Sequence, residues 1–365
     1  MKSFHQPGFF DINERTAKLT AMGDPLVGLK AQINWEAFRP ALNAVHKKSR
    51  KSNAGAKPID VVLMFKILVL QQLHNLSDDR IEYQIRDRLS FMRFLGLQIE
   101  SRVPDAKTVW LFRERLKELK LVEVLFAMFH QQLAKHGYVA RAGQMIDATF
   151  VEVPRQRNNR EENAAIKAGE PLEEWKDKPV KERQKDVDAR WTKKNQENHF
   201  GYKNHINADE DSKLVQCYAV THAAVHDSQV FDELLDQVID AAGEKRPVYA
   251  DSAYRSKDRE IKLASNGFKS QIHEKGTRNC PLSEEQKVSN RIKSKTRARV
   301  EHVFGAQHLM GGHIVRTIGI ARANVKIGLM NLVYNMTRLG QLIKRDARAI
   351  LARLRNDRSS TSIAA

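Results

Sequence analysis

The chain has 365 residues, more than a single hydrophobic core usually serves, so two domains are expected. With 41% hydrophobic and 29% charged residues it has a globular composition, and its formal net charge of +18 points to a polyanionic partner, nucleic acid ahead of a membrane surface. Two cysteines, Cys217 and Cys280, without CxxC spacing argue against a disulfide framework or a zinc ribbon and suit a reducing compartment.

The start, MKSFHQPGFFDINER, lacks the long apolar core of a signal peptide. The most apolar run, Val61 to Leu70, is too short to span a bilayer and is interrupted by Lys66. A cytoplasmic, nucleoid-associated protein without membrane contact is therefore expected. Residues 1–140 read as a helical domain. PIDVVLMFKILVLQQLHNL, with proline near its start and apolar residues all round, predicts a buried helix. Ser77 before Asp78 and Asp79 caps a second, and Pro104–Asp105 opens a third with Val109, Phe112 and Leu116 at helical spacing.

After Gly137 the period changes. GQMIDATFVEV, HFGYKNHINAD and KLVQCYAVTHAAV read as strands, QVFDELLDQVIDAA as a helix, RPVYAD as a short strand, SKDREIKLASNG as a helix and FKSQIHEK as a strand. The fold class is thus α+β or α/β: a helical domain, then a mixed sheet flanked by helices over 141–345 in a ribonuclease-H-like order, and a basic, flexible tail over 346–365. A polar insert, about Glu152 to Asn198, separates the first two strands with twelve basic and eleven acidic residues. It is read as a partly disordered loop or a docking arm, with DARWTKK its ordered part.

Three acids stand in unusual settings. Asp147 interrupts the apolar strand MIDATF, where a buried carboxylate needs a cation or several donors; a strand-end Asp bonding a backbone N–H is the plainer alternative. Asp251 ends PVYAD, and two acids at the ends of parallel strands can lie side by side and share a divalent cation. Glu301 is one of two acids among fifteen Lys and Arg between Gln286 and Arg355. It shares a helix face with Arg297 and His308; a simple Arg297–Glu301 pair is the alternative reading. Arg291, Lys293, Lys295, Arg297 and Arg299 alternate along this helix, so they divide between solvent and phosphate contacts. Tyr254 and Arg255 follow Asp251 and are candidates for contacts near a scissile phosphate or for structural roles. Asp227 or Ser228 reads as a helix cap, and the histidines around Cys217 fit no common zinc pattern.

In order along the chain, PGFFD, LMFKILVLQQLHNLSDDRIEYQIRDRLSFMRFLGL, VPDAKTVWLFRERL, the DAT at Asp147, RWTKK, FGYKNH, ADSAYRS, RVEHVF and RTIGIARANVKIGLMNLVYNM resemble, over nearly the full length, a DDE transposase of the bacterial insertion-sequence family commonly called IS-five. The resemblance implies that Asp147, Asp251 and Glu301 bind two divalent ions, Mg²⁺ with Mn²⁺ as an alternative, for phosphodiester hydrolysis and strand transfer. It implies double-stranded DNA as partner, both terminal inverted repeats and target, and a homo-oligomer of at least two copies. Arg297, His308, Arg255, Tyr254, Arg299 and Lys295 are the expected DNA contacts. Arg297 and Glu301 match the family's Tyr-Arg-Glu-Lys signature; Ser294 and His308 stand at its Tyr and Lys positions, and an imidazole is a weaker cation than an ammonium at neutral pH. Two other readings remain: a silent DNA-binding descendant, and a nuclease that cuts without joining.

Overall fold

The computed structural model describes residues 11–46, 57–140, 142–170, 175, 177–194, 196–237 and 245–362. Residues 7–10 of PGFFD lie outside them. The chain divides into two compact units, Met1–Met128 with Met336–Ala365, and Phe129–Asn335. The first boundary therefore falls before residue 140, and the C-terminal segment groups with the N-terminal helices instead of ending the second unit at 345.

The first unit is helical: α1 (Asp11–Ala21), α2 (Pro25–Gln32), α3 (Arg39–Leu42), α4 (Val61–Leu73), α5 (Asp78–Asp87), α6 (Leu89–Leu95) and α7 (Ala106–Glu118), with α8 (Leu121–Lys135) running past its boundary. Side-chain caps set where these helices begin. Asp60 accepts from Leu63 N, Ser77 from Arg80 N and Asp105 from Thr108 N, each satisfying an orphan N–H of the first turn. In α4, Phe65, Ile67, Val69 and Leu70 are among the fully buried side chains, which explains an apolar surface on all sides. Nη1 and Nη2 of Arg113 bond the two Asp78 carboxylate oxygens, at 2.7 and 2.8 Å, and join α7 to the start of α5.

The second unit is built on a mixed sheet. Strand β1 (Gln144–Glu152) pairs antiparallel with β3 (Glu197–Asp209) over its whole length. On the opposite edge of β3, β2 (Arg190–Lys194) covers one half and β4 (Val215–His222) the other. Strand β5 (Val248–Tyr249) lies parallel to β1, with Gln144 opposite Val248 and Met145 opposite Tyr249. Gly201 sits where β3 is gripped by β1 and β2 together; its φ of +148° suits glycine, and a Cβ there would fall 2.4 Å from Val151 O. The strand expected in FKSQIHEK reduces to a parallel bridge between Val248 and Ser270, extended by Gln271 N to Val248 O (2.8 Å) and His273 N to Ala250 O (3.1 Å).

One apolar cluster joins Ile146, Val248, Ala250 and Ile272 to Phe231 and Leu234 of α11 (Phe231–Leu234) and Leu263 of α12 (Lys257–Ser265). A second joins Val151, Phe200 and Tyr202 to Ala323, Ile327 and Met330. Alternation along β1 assigns Ile146 and Val151 to opposite faces, so the two clusters cover the two sides of the sheet. Of the helix expected over QVFDELLDQVIDAA, the described residues form Phe231–Leu234; residues 238–242 lie outside the described ones. In the insert, α9 (Arg160–Ala168) opens on an Asn159–Glu162 capping box, α10 covers Pro179–Gln184, and the buried Trp175 donates to Glu162 at 2.8 Å. RWTKK forms β2.

Two long helices close the chain, α13 (Glu284–Leu309) and α14 (Ile320–Ser362). Residues 346–362, expected as a flexible tail, continue α14. Helix α13 opens on a Ser283–Gln286 capping box and carries Arg297, Glu301 and His308 together, as the sequence predicts. Among the described residues no helix is long and apolar enough to cross a membrane.

Candidate active site

The register between β1 and β5 places Asp147 level with Asp251: Gln144 faces Val248, and three residues on, Asp147 faces the first residues beyond β5. Both occupy positions of the same parity and so turn toward the same side of the sheet. Asp147 is the fourth residue of a nine-residue strand, not its end; β5 is the strand that stops short, opening the edge beside it. Asp251 caps the 3₁₀ turn Ser252–Tyr254 by accepting from Ala253 N at 2.7 Å.

Helix α13 packs against β1 and β5. One stripe of it is fastened to the segment after α12. Asn290 exchanges two bonds with Glu274, at 2.8 and 3.0 Å; Lys293 donates to Ile272 O at 3.1 Å; and Ser294 Oγ lies 3.3 Å from His273 Nε2. Arg297 and Glu301 continue that stripe at helical spacing. The fastening brings Arg297 Nη1 to Asp147 Oδ2 at 3.0 Å, while its Nη2 stays 3.8 Å from Glu301 Oε1.

Burial pushes the Asp147 carboxyl up to about 6; the Ala148 N–H and Arg297 pull against that shift, and Asp251 adds to it. A carboxylate in this state gains strongly from a nearby cation. Glu301, with a side chain 66% exposed, stands on the solvent side of Arg297. Among the described residues no three His, Cys, Asp or Glu side chains converge in metal-ligating geometry. Asp147 and Asp251 are therefore brought together, whereas Glu301 shares their neighbourhood through Arg297, and the guanidinium supplies the positive charge between them.

The expected DNA contacts separate into groups. Arg291, Lys295 and Arg299 form an exposed stripe of α13, and Arg299 also reaches Glu210, with Nη1 3.4 Å from its Oε1. His308 is exposed near the end of α13, its ring 6.0 Å from that of His313. Tyr254 is 1% exposed, its hydroxyl buried without a partner, because it packs into the cluster around Phe231; it does not face DNA. Arg255 is held by Glu274 at 2.9 Å, by Glu260 at 3.5 Å and by Ile272 O at 3.0 Å, so it serves the fold. Neither Asp227 nor Ser228 caps its turn: the His226 ring accepts from Ser228 N, and Asp227 pairs with the buried Lys203 at 2.7 Å. His199 stacks on Phe150 and bonds Glu152, the His205 imidazole is pushed down to about 4 by burial, and burial raises the Cys217 thiol to about 12; these side chains assemble no zinc site among the described residues.

His273 is the residue the sequence did not single out. Nothing in FKSQIHEK marks it, because its proximity to Asp251 follows from strand pairing alone.

Two protein families match the chain. Residues 13–115 match the family described as Transposase domain (DUF772), and residues 140–336 match the one described as Transposase DDE domain. Among solved structures the chain is similar to the piggyBac transposase in a synaptic complex with hairpin DNA, at 14% identity and a TM-score of 0.46, over 87% of this chain and 74% of that one.

Proposed function

The chain belongs to the Transposase DDE domain family, and from that premise we propose that Asp147, Asp251 and Glu301 are the carboxylates with which this DNA transposase cuts and joins DNA. The observation that carries the assignment is the in-register pair Asp147–Asp251 beneath Arg297 of α13, within the matched segment. The IS-five group is the finer family assignment, supported by the ordered motifs, with Ser294 and His308 as its departures.

The donor set suits a hard divalent ion. Two carboxylates side by side repel, Asp147 is already driven toward its protonated form, and the nearest balancing charge is one guanidinium. Asp147 and Asp251, joined by Glu301, would hold Mg²⁺ or Mn²⁺. When bound, these ions supply charge neutralisation at the phosphate and a lowered pKa for the attacking hydroxyl. Asp147 must lose its proton to serve, and the Ala148 N–H, which bonds Oδ1 at 2.8 Å, orients the carboxylate. Arg297 holds Asp147 in place and lies one turn from Glu301, which puts the third carboxylate on the same face of α13. The exposed stripe Arg291, Lys295 and Arg299 gives the DNA backbone a basic track, and His308, on the Glu301 face of α13, is a separate contact.

The helical first unit, which carries the other transposase match, is assigned to binding the terminal inverted repeats. Coordinated chemistry on two ends implies at least two copies on DNA, and the site of action is the nucleoid. The test is incubation of the full-length protein with a labelled duplex carrying the inverted repeat that flanks its gene. Mg²⁺-dependent nicking followed by joined products supports the reading; tight binding without cutting contradicts it, and cut ends that never join reduce the protein to a nuclease.

A further inference from the structure

The parallel register does not stop at β5. Gln144 faces Val248, Val248 bridges Ser270, and His273 N donates to Ala250 O, so Asp147, Asp251 and His273 form one row across three adjacent segments. Ile272 turns the other way, fully buried with Ile146 and Ala250, which leaves His273 on the side that α13 covers. There Ser294 Oγ lies 3.3 Å from its Nε2, and Arg297 follows three residues later. His273 is half-buried, not sealed. The neighbouring cations point elsewhere: Lys293 bonds Ile272 O, and Arg255 bonds Ile272 O and Glu274.

Two carboxylates alone repel a phosphodiester. A site that takes one beside them needs donors on the adjoining wall, and a neutral donor supplies this without competing with a metal ion for the carboxylates. Burial lowers the His273 pKa, with the Arg297 and Lys293 charges in the same direction and Asp251 opposed. A neutral ring whose Nε2 accepts from the Ser294 hydroxyl carries its proton on Nδ1.

We propose that His273, oriented by Ser294, forms a phosphate-binding position beside Asp251, donating an imidazole N–H to a non-bridging oxygen of the DNA phosphodiester being cut. The inference rests on the assignment of Asp147, Asp251 and Glu301 as the cutting site. It also gives Ser294 a function suited to this chain, as the residue that orients the His273 ring.

The test uses the full-length protein, the variants His273→Ala, His273→Gln and Ser294→Ala, and a duplex with the gene's flanking repeat carrying, at the mapped cut, either the natural phosphate or one methylphosphonate diastereomer. On natural DNA, His273→Ala is expected to cut about tenfold or more slowly, on the scale of losing one oriented donor. His273→Gln, which keeps an N–H, recovers part of the rate, and Ser294→Ala falls between. On the diastereomer that lacks the contacted oxygen, wild type and His273→Ala cut equally. The same fractional loss on natural DNA and on both diastereomers, or no loss at all, overturns the proposal. Wild-type cutting of natural DNA separately tests the functional reading. If that fails, affinities of wild type and His273→Gln for natural and methylphosphonate ends still decide the phosphate contact, because a true contact removes their difference on one diastereomer only.

Discussion

Arg297 donates to Asp147 at 3.0 Å while staying 3.8 Å from Glu301, so a single guanidinium stands between two carboxylates that lie 150 and four residues from it in the chain. Replacing it tests the electrostatics of the site. Arg297→Gln should raise the Asp147 pKa further above about 6, and Asp251→Asn should lower it, since Asp251 is the carboxylate that opposes its ionisation. Carboxyl-carbon NMR titration reads both shifts, and unchanged values in both variants would contradict the arrangement.

The same group makes stability depend on pH. The folded pKa of about 6 exceeds the ordinary 3.8, so between those values the folded chain holds a proton that the unfolded chain has released. The Asp147 contribution is therefore complete below about pH 4 and is lost as pH rises through about 6, a change of at most about 3 kcal/mol. Denaturation at several pH values should show this fall in wild type and not in Asp147→Asn.

Behind the site, Asn204, Gln307 and Asn331 form a closed amide network, with bonds of 3.2, 3.1 and 2.7 Å, that ties β3 to α13 and α14. All three are almost fully buried. Gln307→Ala and Asn331→Ala should each cost about 2 kcal/mol in chemical denaturation, because each leaves buried partners unsatisfied. Lys295→Ala, at an exposed position, should stay within about 0.5 kcal/mol of wild type.

Asp186 anchors the insert. It accepts from the Tyr202 hydroxyl at 2.7 and 2.8 Å and from the backbone of Asp188 and Ala189 at 3.0 and 3.1 Å, and is 3% exposed. Asp186→Ala should make the 153–189 segment the first site of limited proteolysis, whereas Tyr202→Phe, which removes one donor, should cost about 1 kcal/mol. Identical digestion patterns for Asp186→Ala and wild type would contradict the anchor.

The basic stripe has a salt signature. Arg291→Ala and Lys295→Ala should each reduce the slope of log affinity against log salt by about one in anisotropy titrations with an element end. Tyr254→Phe should leave it unchanged, because that side chain is buried. His308→Lys is expected to tighten binding at moderate salt.

Much of this is legible in the chain because it is local. The cap at Ser77, the helix start at Pro104–Asp105, the apolar run of β1 and the spacing of Arg297 and Glu301 are short-range patterns, and the structure contains each. Tyr254 and Arg255 misled because adjacency to Asp251 in sequence says nothing of side-chain direction: one packs inward, and the other pairs with Glu274. Beyond DARWTKK the order in the insert is not legible, since its anchors, Trp175 on Glu162 and Tyr202 on Asp186, join residues 13 and 16 apart without periodicity. His273 was invisible because the row it shares with Asp147 and Asp251 exists only once three segments pair.

The most direct test of the three-carboxylate assignment is Mg²⁺-dependent cutting of a labelled element end by Asp147→Asn, Asp251→Asn and Glu301→Gln, with end binding measured on the same preparations. Each substitution is predicted to abolish cutting while binding stays near that of the wild type. A variant that binds and still cuts at close to the wild-type rate would remove its residue from the site.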